Sequence, residues 1–291
     1  MKFDFEPEKL HPVVFAPDIG ANLPDEMLVA QVRYNMKRRL PQAKPHLANN
    51  ETVALVCGGP SLAQTEKELV KEVWRGAKII TVNAAYQWCI DKNLKPSAQI
   101  MIDGRAFNSR MVETPIEGCH YLLAGQCHPD TFDKCRDRKV TIWHACSCQN
   151  ELDMLNSYYF GKCFQVTDGT TVGVRAIALL RMLGFQSFHV FGLDSCWLDD
   201  AHHAYQQVEN DEELRFPVWL RPRERDDLAE RFICSAWHVK QATDFMALIK
   251  RHGNTFRLNV KGPGLIAAIM RIAAQVGLEN VETSTPPEKE T

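Results

Sequence analysis

Short apolar runs alternate with amphipathic segments through most of this chain, and that alternation limits what it can fold into more than any other feature. Runs at 52–57, 78–82 and 98–102 read as strands, and the segments 62–75 and 84–93 between them read as helices. Strand–helix alternation is the mark of βαβ units and a parallel sheet. It continues with strands near 120–124, 139–143 and 163–166, a helix over 171–183 and a strand at 187–191. A helix at 236–252, a strand at 255–259 and a helix at 263–276 complete it. The expected fold is α/β: a Rossmann-like doubly wound, mostly parallel sheet with helices on both faces.

Three stretches fall outside that rhythm. Residues 1–50 read as an N-terminal helical appendage, in which Met27, Val29, Val32, Met36 and Leu40 make a loose helix stripe ended by Pro41 and Pro45. Residues 195–232, rich in charge, Pro and Trp, read as an irregular insertion or lid within a domain spanning 51–280. The polar residues 281–291 read as a disordered tail.

Charge and cysteine usage narrow the partners. The formal charge is −2, and the densest basic run is MKRRL at 36–40, so nucleic acid is not an expected partner. The start MKFDFEPEKLHPVV carries acids among its apolar residues and lacks the core of a secretory signal. No run of about 18 apolar residues occurs, so no membrane span is expected and the location reads as cytoplasmic. The ten cysteines, among them Cys57, Cys89, Cys163 and Cys196, read mostly as reduced core thiols. Cys119, His120, Cys127, His128, Cys135, His144, Cys146 and Cys148 crowd one region, but without a CxxC pair their spacing does not favour structural zinc.

Chemistry-bearing residues gather where strands end. In VALVCGGPSL at 53–62, Gly58 and Gly59 would let backbone approach a ligand, and Ser61 can cap a helix whose free N–H groups favour an anion. On this reading Gly59→Val weakens ligand binding and leaves the fold intact. Asn83 and Asp103 close the next strands, at the edge where open α/β sheets bind ligands; each also suits a helix cap. Gly169, Thr170 and Thr171 open the helix after 171, Asp194 ends the strand SFHVFGLD, and DDAHHAY supplies His202, His203 and Tyr205 for proton transfer and phosphate contact. GPGL at 262–265 suits a plain helix start better than a second anion turn.

GGPSL, VNAAYQWCIDKNLKPSAQIMID and GTTVGVRAIALLRMLGFQSFHVFGLDS, followed by HHAY, resemble a known family over about 52–205. This is the 6-hydroxymethylpterin diphosphokinase MptE-like family, which includes motility accessory factors that glycosylate flagellin and many phage proteins; bacterial CMP-sialic-acid sialyltransferases are similar more distantly. The resemblance implies that Gly58, Gly59 and Ser61 touch nucleotide phosphates, Asn83 the ribose or base, and Thr170 and Thr171 the displaced phosphate. It implies a histidine base, His203 ahead of His202, or acids holding Mg²⁺, for which Asp103 and Asp194 are the candidates. QCHP at 126–129 resembles a segment of the phage proteins and implies a loop near the site. Gly58 stands where the family usually has Asn, and Ser195 where an aromatic follows the acid, so the nucleotide class stays open.

The expected function is a nucleotide-dependent transferase of the glycosyl type, using a nucleotide or sugar-nucleotide donor and an unknown acceptor. A Mg-dependent diphosphokinase of the 6-hydroxymethylpterin type and a non-catalytic, phage-encoded nucleotide-binding or assembly component remain as alternatives. No cofactor is certain, Mg²⁺ is allowed, and the sequence leaves room for a homo-oligomer.

Overall fold

The structure, a computed structural model, describes residues 23–146, 148–206, 213–222, 225–277 and 281–284. In chain order, α1 (Asp25–Met36) precedes β1 (Asn49–Val56), α2 (Leu62–Trp74), β2 (Lys78–Val82), α3 (Ala85–Asp91) and β3 (Ala98–Met101). After a 3-10 turn at Ala106–Val112 come β4 (His120–Ala124), α4 (Pro129–Lys134), β5 (Lys139–Trp143), α5 (Gln149–Tyr158), α6 (Val172–Met182) and β6 (Phe185–Phe191). Then follow β7 (Phe216–Pro222), β8 (Glu230–Cys234), α7 (Ala236–His252), β9 (Arg257–Val260), α8 (Leu265–Val276) and β10 (Val281–Ser284).

Seven strands form one sheet in the order β5-β4-β3-β2-β1-β6-β9, and every pairing in it is parallel. The first half winds outward from β1 to β5; β6 and β9 extend the other side. Strand order therefore reverses between β1 and β6, and such a switch point opens a crevice at the carboxyl ends of the strands. β1 is suited to the centre because Val53–Val56 are apolar on both pleat faces and all four are fully buried. Its alternate residues feed two cores. Val53 and Leu55 pack with Val174, Ile177, Phe245 and Ile266 of α6, α7 and α8, while Ala54 and Val56 pack with Leu62, Leu69 and Trp88 of α2 and α3. The sheet is thus doubly wound, as the alternation predicts.

Three segments differ from the sequence reading. Residues 163–166 form no strand; Gln165 makes a lone parallel bridge to His144, just past the edge strand β5, and Phe164 beside it is exposed rather than held against the core. The stretch read as an insertion holds β7 and β8, which pair antiparallel, and its two prolines and alternating exposure hid them from a search for apolar runs. Val281–Ser284, placed in the disordered tail, pairs antiparallel with β7 as the third strand of that small sheet. Residues 207–212 of the insertion and 285–291 of the tail lie outside the described residues.

α1 ends at Met36, before Pro41, and docks against α4 and α5. Asn35 Nδ2 donates to the carbonyls of Gly125 at 3.0 Å and Cys127 at 2.8 Å, and Gln31 Nε2 to that of Gly104 at 3.0 Å. All ten cysteines are free thiols. Among the described residues no helix is long and apolar enough to cross a membrane.

Candidate functional site

A cleft of about 390 Å³ opens at the carboxyl edge of the large sheet, over the switch point between β1 and β6. Strand ends supply Gly58, Gly59, Asn83, Asp103, Gln126 and Asp194 to its wall. Thr170, Thr171, His202, His203 and Tyr205 complete the sequence-derived set within it, whereas Ser61 and Gly169 lie behind the wall.

The GGPSL loop is held from beneath by β6. Gly59 N–H donates to the Gly192 carbonyl at 2.8 Å, and Ser61 N–H donates to Asp194 Oδ2 at 2.8 Å. Asp194 is thus the anion at the start of α2, the position expected for a ligand phosphate. Burial pushes its carboxyl above the ordinary range, opposed by the bond from Ser61 N–H. Asp194 is 3% exposed and lines the cleft, and its Oδ2 holds the Ser61 loop in place. Ser61 does not cap α2 with its side chain; the hydroxyl is buried without a hydrogen-bond partner. The two glycines answer to the chain itself. A Cβ on Gly58 would run into the Tyr205 hydroxyl, and one on Gly59 into Asp194 Oδ2 and, at 2.6 Å, the Gly192 carbonyl.

The opposite rim is the start of α6. Thr170 spends its N–H and hydroxyl on Asp244 Oδ2, at 2.8 and 2.6 Å, and Asp244 is also paired with Lys240. Thr171 Oγ1 accepts from Gln241 Nε2 at 2.7 Å and so keeps its own proton to donate. Gln241 Oε1 in turn takes the Ser195 hydroxyl at 2.5 Å, tying α6 to the end of β6. Among the described residues the N–H groups of Val172 and Gly173 have no partner, which leaves this helix end open to an anion.

Between the rims stands an aromatic and imidazole cluster. His203 Nδ1 lies 3.2 Å from the Gly58 carbonyl, an acceptor, so Nδ1 carries the proton and Nε2 is the basic nitrogen. Its ring stacks on Tyr205, with centroids 5.5 Å apart and planes 3° from parallel. His202 lies against His203 at 4.4 Å and Trp197 at 4.5 Å, and Arg215 covers the Trp197 ring. His238 accepts the Ser235 N–H on Nδ1 at 3.1 Å; burial, with His202 and His203 nearby, pushes its pKa down to about 3, so it stays neutral.

Asn83 sits at φ 45°, a left-handed conformation that Asn tolerates, and Ala84 rather than Asn83 occupies the cap position of α3. Its carbonyl takes Gln99 Nε2 at 2.7 Å, while Oδ1 is buried without a partner. Asp103 is closed off. Oδ2 takes Arg105 Nη2 at 2.6 Å, and Oδ1 takes Arg105 Nε at 3.1 Å and its backbone N–H at 3.0 Å. Asp103 is engaged by a guanidinium and Asp194 Oδ2 by the α2 start, while Asp194 Oδ1 is buried without a hydrogen-bond partner. Among the described residues no group of three His, Cys, Asp or Glu side chains could hold a metal ion.

The motifs did not point to Gln241, His238, Trp237 and Arg175, all of which line the cleft. Leu23 and Leu28, at the start of α1, line it too, so the N-terminal segment is part of the site. Of the QCHP segment, Gln126 lines the cleft and His128 caps α4, accepting Asp130 N–H at 3.3 Å.

Residues 27–200 match a family model described as 6-hydroxymethylpterin diphosphokinase MptE-like. Among solved structures the chain is similar to a MAf glycosyltransferase from Magnetospirillum magneticum AMB-1, with 14% identity and a TM-score of 0.57. The match covers 90% of this chain and 42% of that one; the chain spans well under half of that protein, and the likeness is one of fold. No curated protein sequence matches.

Proposed function

The chain belongs to the 6-hydroxymethylpterin diphosphokinase MptE-like family, and from that premise we propose that it is a nucleotide-dependent transferase moving a glycosyl-type group from a sugar nucleotide to an acceptor hydroxyl. The observation that carries this reading is the oriented His203: its Nδ1–H is held by the Gly58 carbonyl, and its ring stands in the same cleft as the open start of α6. A base on one side and an anion-binding helix end on the other are what a displacement at a glycosyl phosphate needs. The acceptor oxygen forms the new bond to the sugar carbon and gives its proton to His203 Nε2, while the sugar–phosphate bond breaks and the nucleoside phosphate leaves toward Thr171 and α6. Asp194 serves by holding the Ser61 loop, and Tyr205 by stacking on the base. The fold neighbour's description as a glycosyltransferase agrees with this chemistry.

Release of nucleoside phosphate from a panel of sugar nucleotides, with and without EDTA, tests it. His203→Asn keeps a donor at the Nδ1 position for the Gly58 carbonyl and removes the base; turnover should fall about 10²–10⁴-fold with donor affinity little changed. Turnover of a nucleoside triphosphate that stops with EDTA and ignores His203→Asn would establish the diphosphokinase reading instead. Nucleotide binding with no turnover of any donor would make the chain a binding component.

A further inference from the structure

Arg175, in the first turn of α6, is a charged side chain that the mechanism above leaves without a task. It lines the cleft and is 7% exposed. Its side chain folds back toward the helix start, where Nε donates to the Gly169 carbonyl at 2.6 Å and Nη1 to those of Ala145 at 2.6 Å and Val166 at 3.3 Å. Three main-chain acceptors thus lock the plane of the fork. Nη2 takes no hydrogen bond among the described residues, yet it is not sealed from the cleft.

The guanidinium sits at the positive end of the α6 dipole, beside the N–H groups of Val172 and Gly173, which have no partner among the described residues. Among the described residues no carboxylate lies within ion-pair distance of it; the buried Glu151, and after it Asp244 and Asp168, favour its charge from farther away. Asp244 is committed to Thr170 and Lys240, and Asp168 to Arg251. A planar fork with one edge open beside unpartnered helix N–H groups suits an oxyanion better than a point charge would. We propose that Arg175 Nη2, the N–H groups of Val172 and Gly173 and the Thr171 hydroxyl form an oxyanion subsite that takes the phosphate of the nucleotide. This rests on the reading of the cleft as a nucleotide site and adds Arg175 as a ligand residue.

The test compares each nucleoside with its 5′-monophosphate, and adds inorganic pyrophosphate alone, on the intact protein. In the parent, the monophosphate should bind at least about tenfold more tightly than its nucleoside. Arg175→Gln should erase that gain while leaving nucleoside affinity in place, and Arg175→Lys should restore part of it. A purely structural arginine would weaken nucleoside and nucleotide alike, and an unchanged phosphate gain in Arg175→Gln overturns the proposal. The ¹⁵N resonance of Arg175 Nε–H in the unsubstituted protein removes dependence on variant folding: it should shift with pyrophosphate, and no shift with pyrophosphate or any monophosphate sinks the subsite. Pyrophosphate binding with no affinity for any nucleoside or sugar nucleotide would retire the nucleotide reading and keep the subsite. Nucleosides binding with no gain from phosphate would do the reverse.

Discussion

Gly59 sits where sequence alone suggests room for a ligand, and the structure fills that room with the protein's own atoms. A Cβ there would meet Asp194 Oδ2 and stand 2.6 Å from the Gly192 carbonyl, so the residue is needed for the β1 and β6 ends to close on each other. The expectation that a side chain at this position would obstruct only a ligand is therefore corrected. Gly59→Ala should destabilise the fold by about 1–3 kcal/mol, as overpacking of a tight interior does, and lower the urea midpoint. A variant as stable as the parent would return the loop to the ligand. The same contact explains Asp194. An acid beyond the end of β6 reads equally well as catalyst, metal ligand or loop anchor, and the 2.8 Å bond from Ser61 N–H gives it the part of a loop anchor.

At the level of elements, what was legible follows from how strongly each segment repeats its pattern. β1, β2, β4 and β5 are short apolar runs between helices with clear stripes, and the sequence places the last three at their bounds and β1 within three residues. α4 and α5 carry little such signal, since α5 buries Glu151 and Leu155 and leaves most of its face polar. The contribution of α7 to the site was invisible for a different reason. Gln241 and His238 occupy ordinary polar positions of a helix, and only its packing across α6 brings them to Thr171, Ser195 and the imidazole cluster. α1 docks through Val32 and Met36, which pack with Leu155, and also through a polar residue that an apolar stripe does not show. Asn35 is fully buried and satisfies two main-chain carbonyls beyond β4, at Gly125 and Cys127. Asn35→Leu would leave both carbonyls unpaired in a dry setting, at about 1–3 kcal/mol each if no water replaces the amide. Reduced stability, with limited proteolysis cutting first within 25–50, is the expected outcome; unchanged stability and protection would make α1 a detachable appendage after all.

Over the whole molecule, acid stability is set by imidazoles that folding keeps neutral. Burial lowers His120 and His144 to about 4 and, with help from its histidine neighbours, His238 to about 3, all from an ordinary value of 6.5. They lie apart, at β4, beside Tyr159 and in the cleft, so their protonation opposes the fold in several places at once. Each has a folded value below its unfolded one. Between roughly pH 6.5 and 4 the unfolded chain therefore binds protons that the folded chain refuses, and stability must drop as pH falls through that window. Asp194 works the other way, because its raised value lets the folded state hold a proton that the unfolded state releases. One carboxyl does not offset three imidazoles over that range. Urea midpoints at pH 7.5, 6, 5 and 4 should accordingly decline, steepest near pH 5. His238→Gln separates this cause from general acid effects. Gln at that position can still accept the Ser235 N–H at the start of α7, so stability at pH 7.5 should change little, while the loss on going to pH 4 should shrink by the share of one proton. An identical decline in parent and variant would show that His238 takes up its proton at the same pH in the folded and unfolded states, against the lowered value that burial implies.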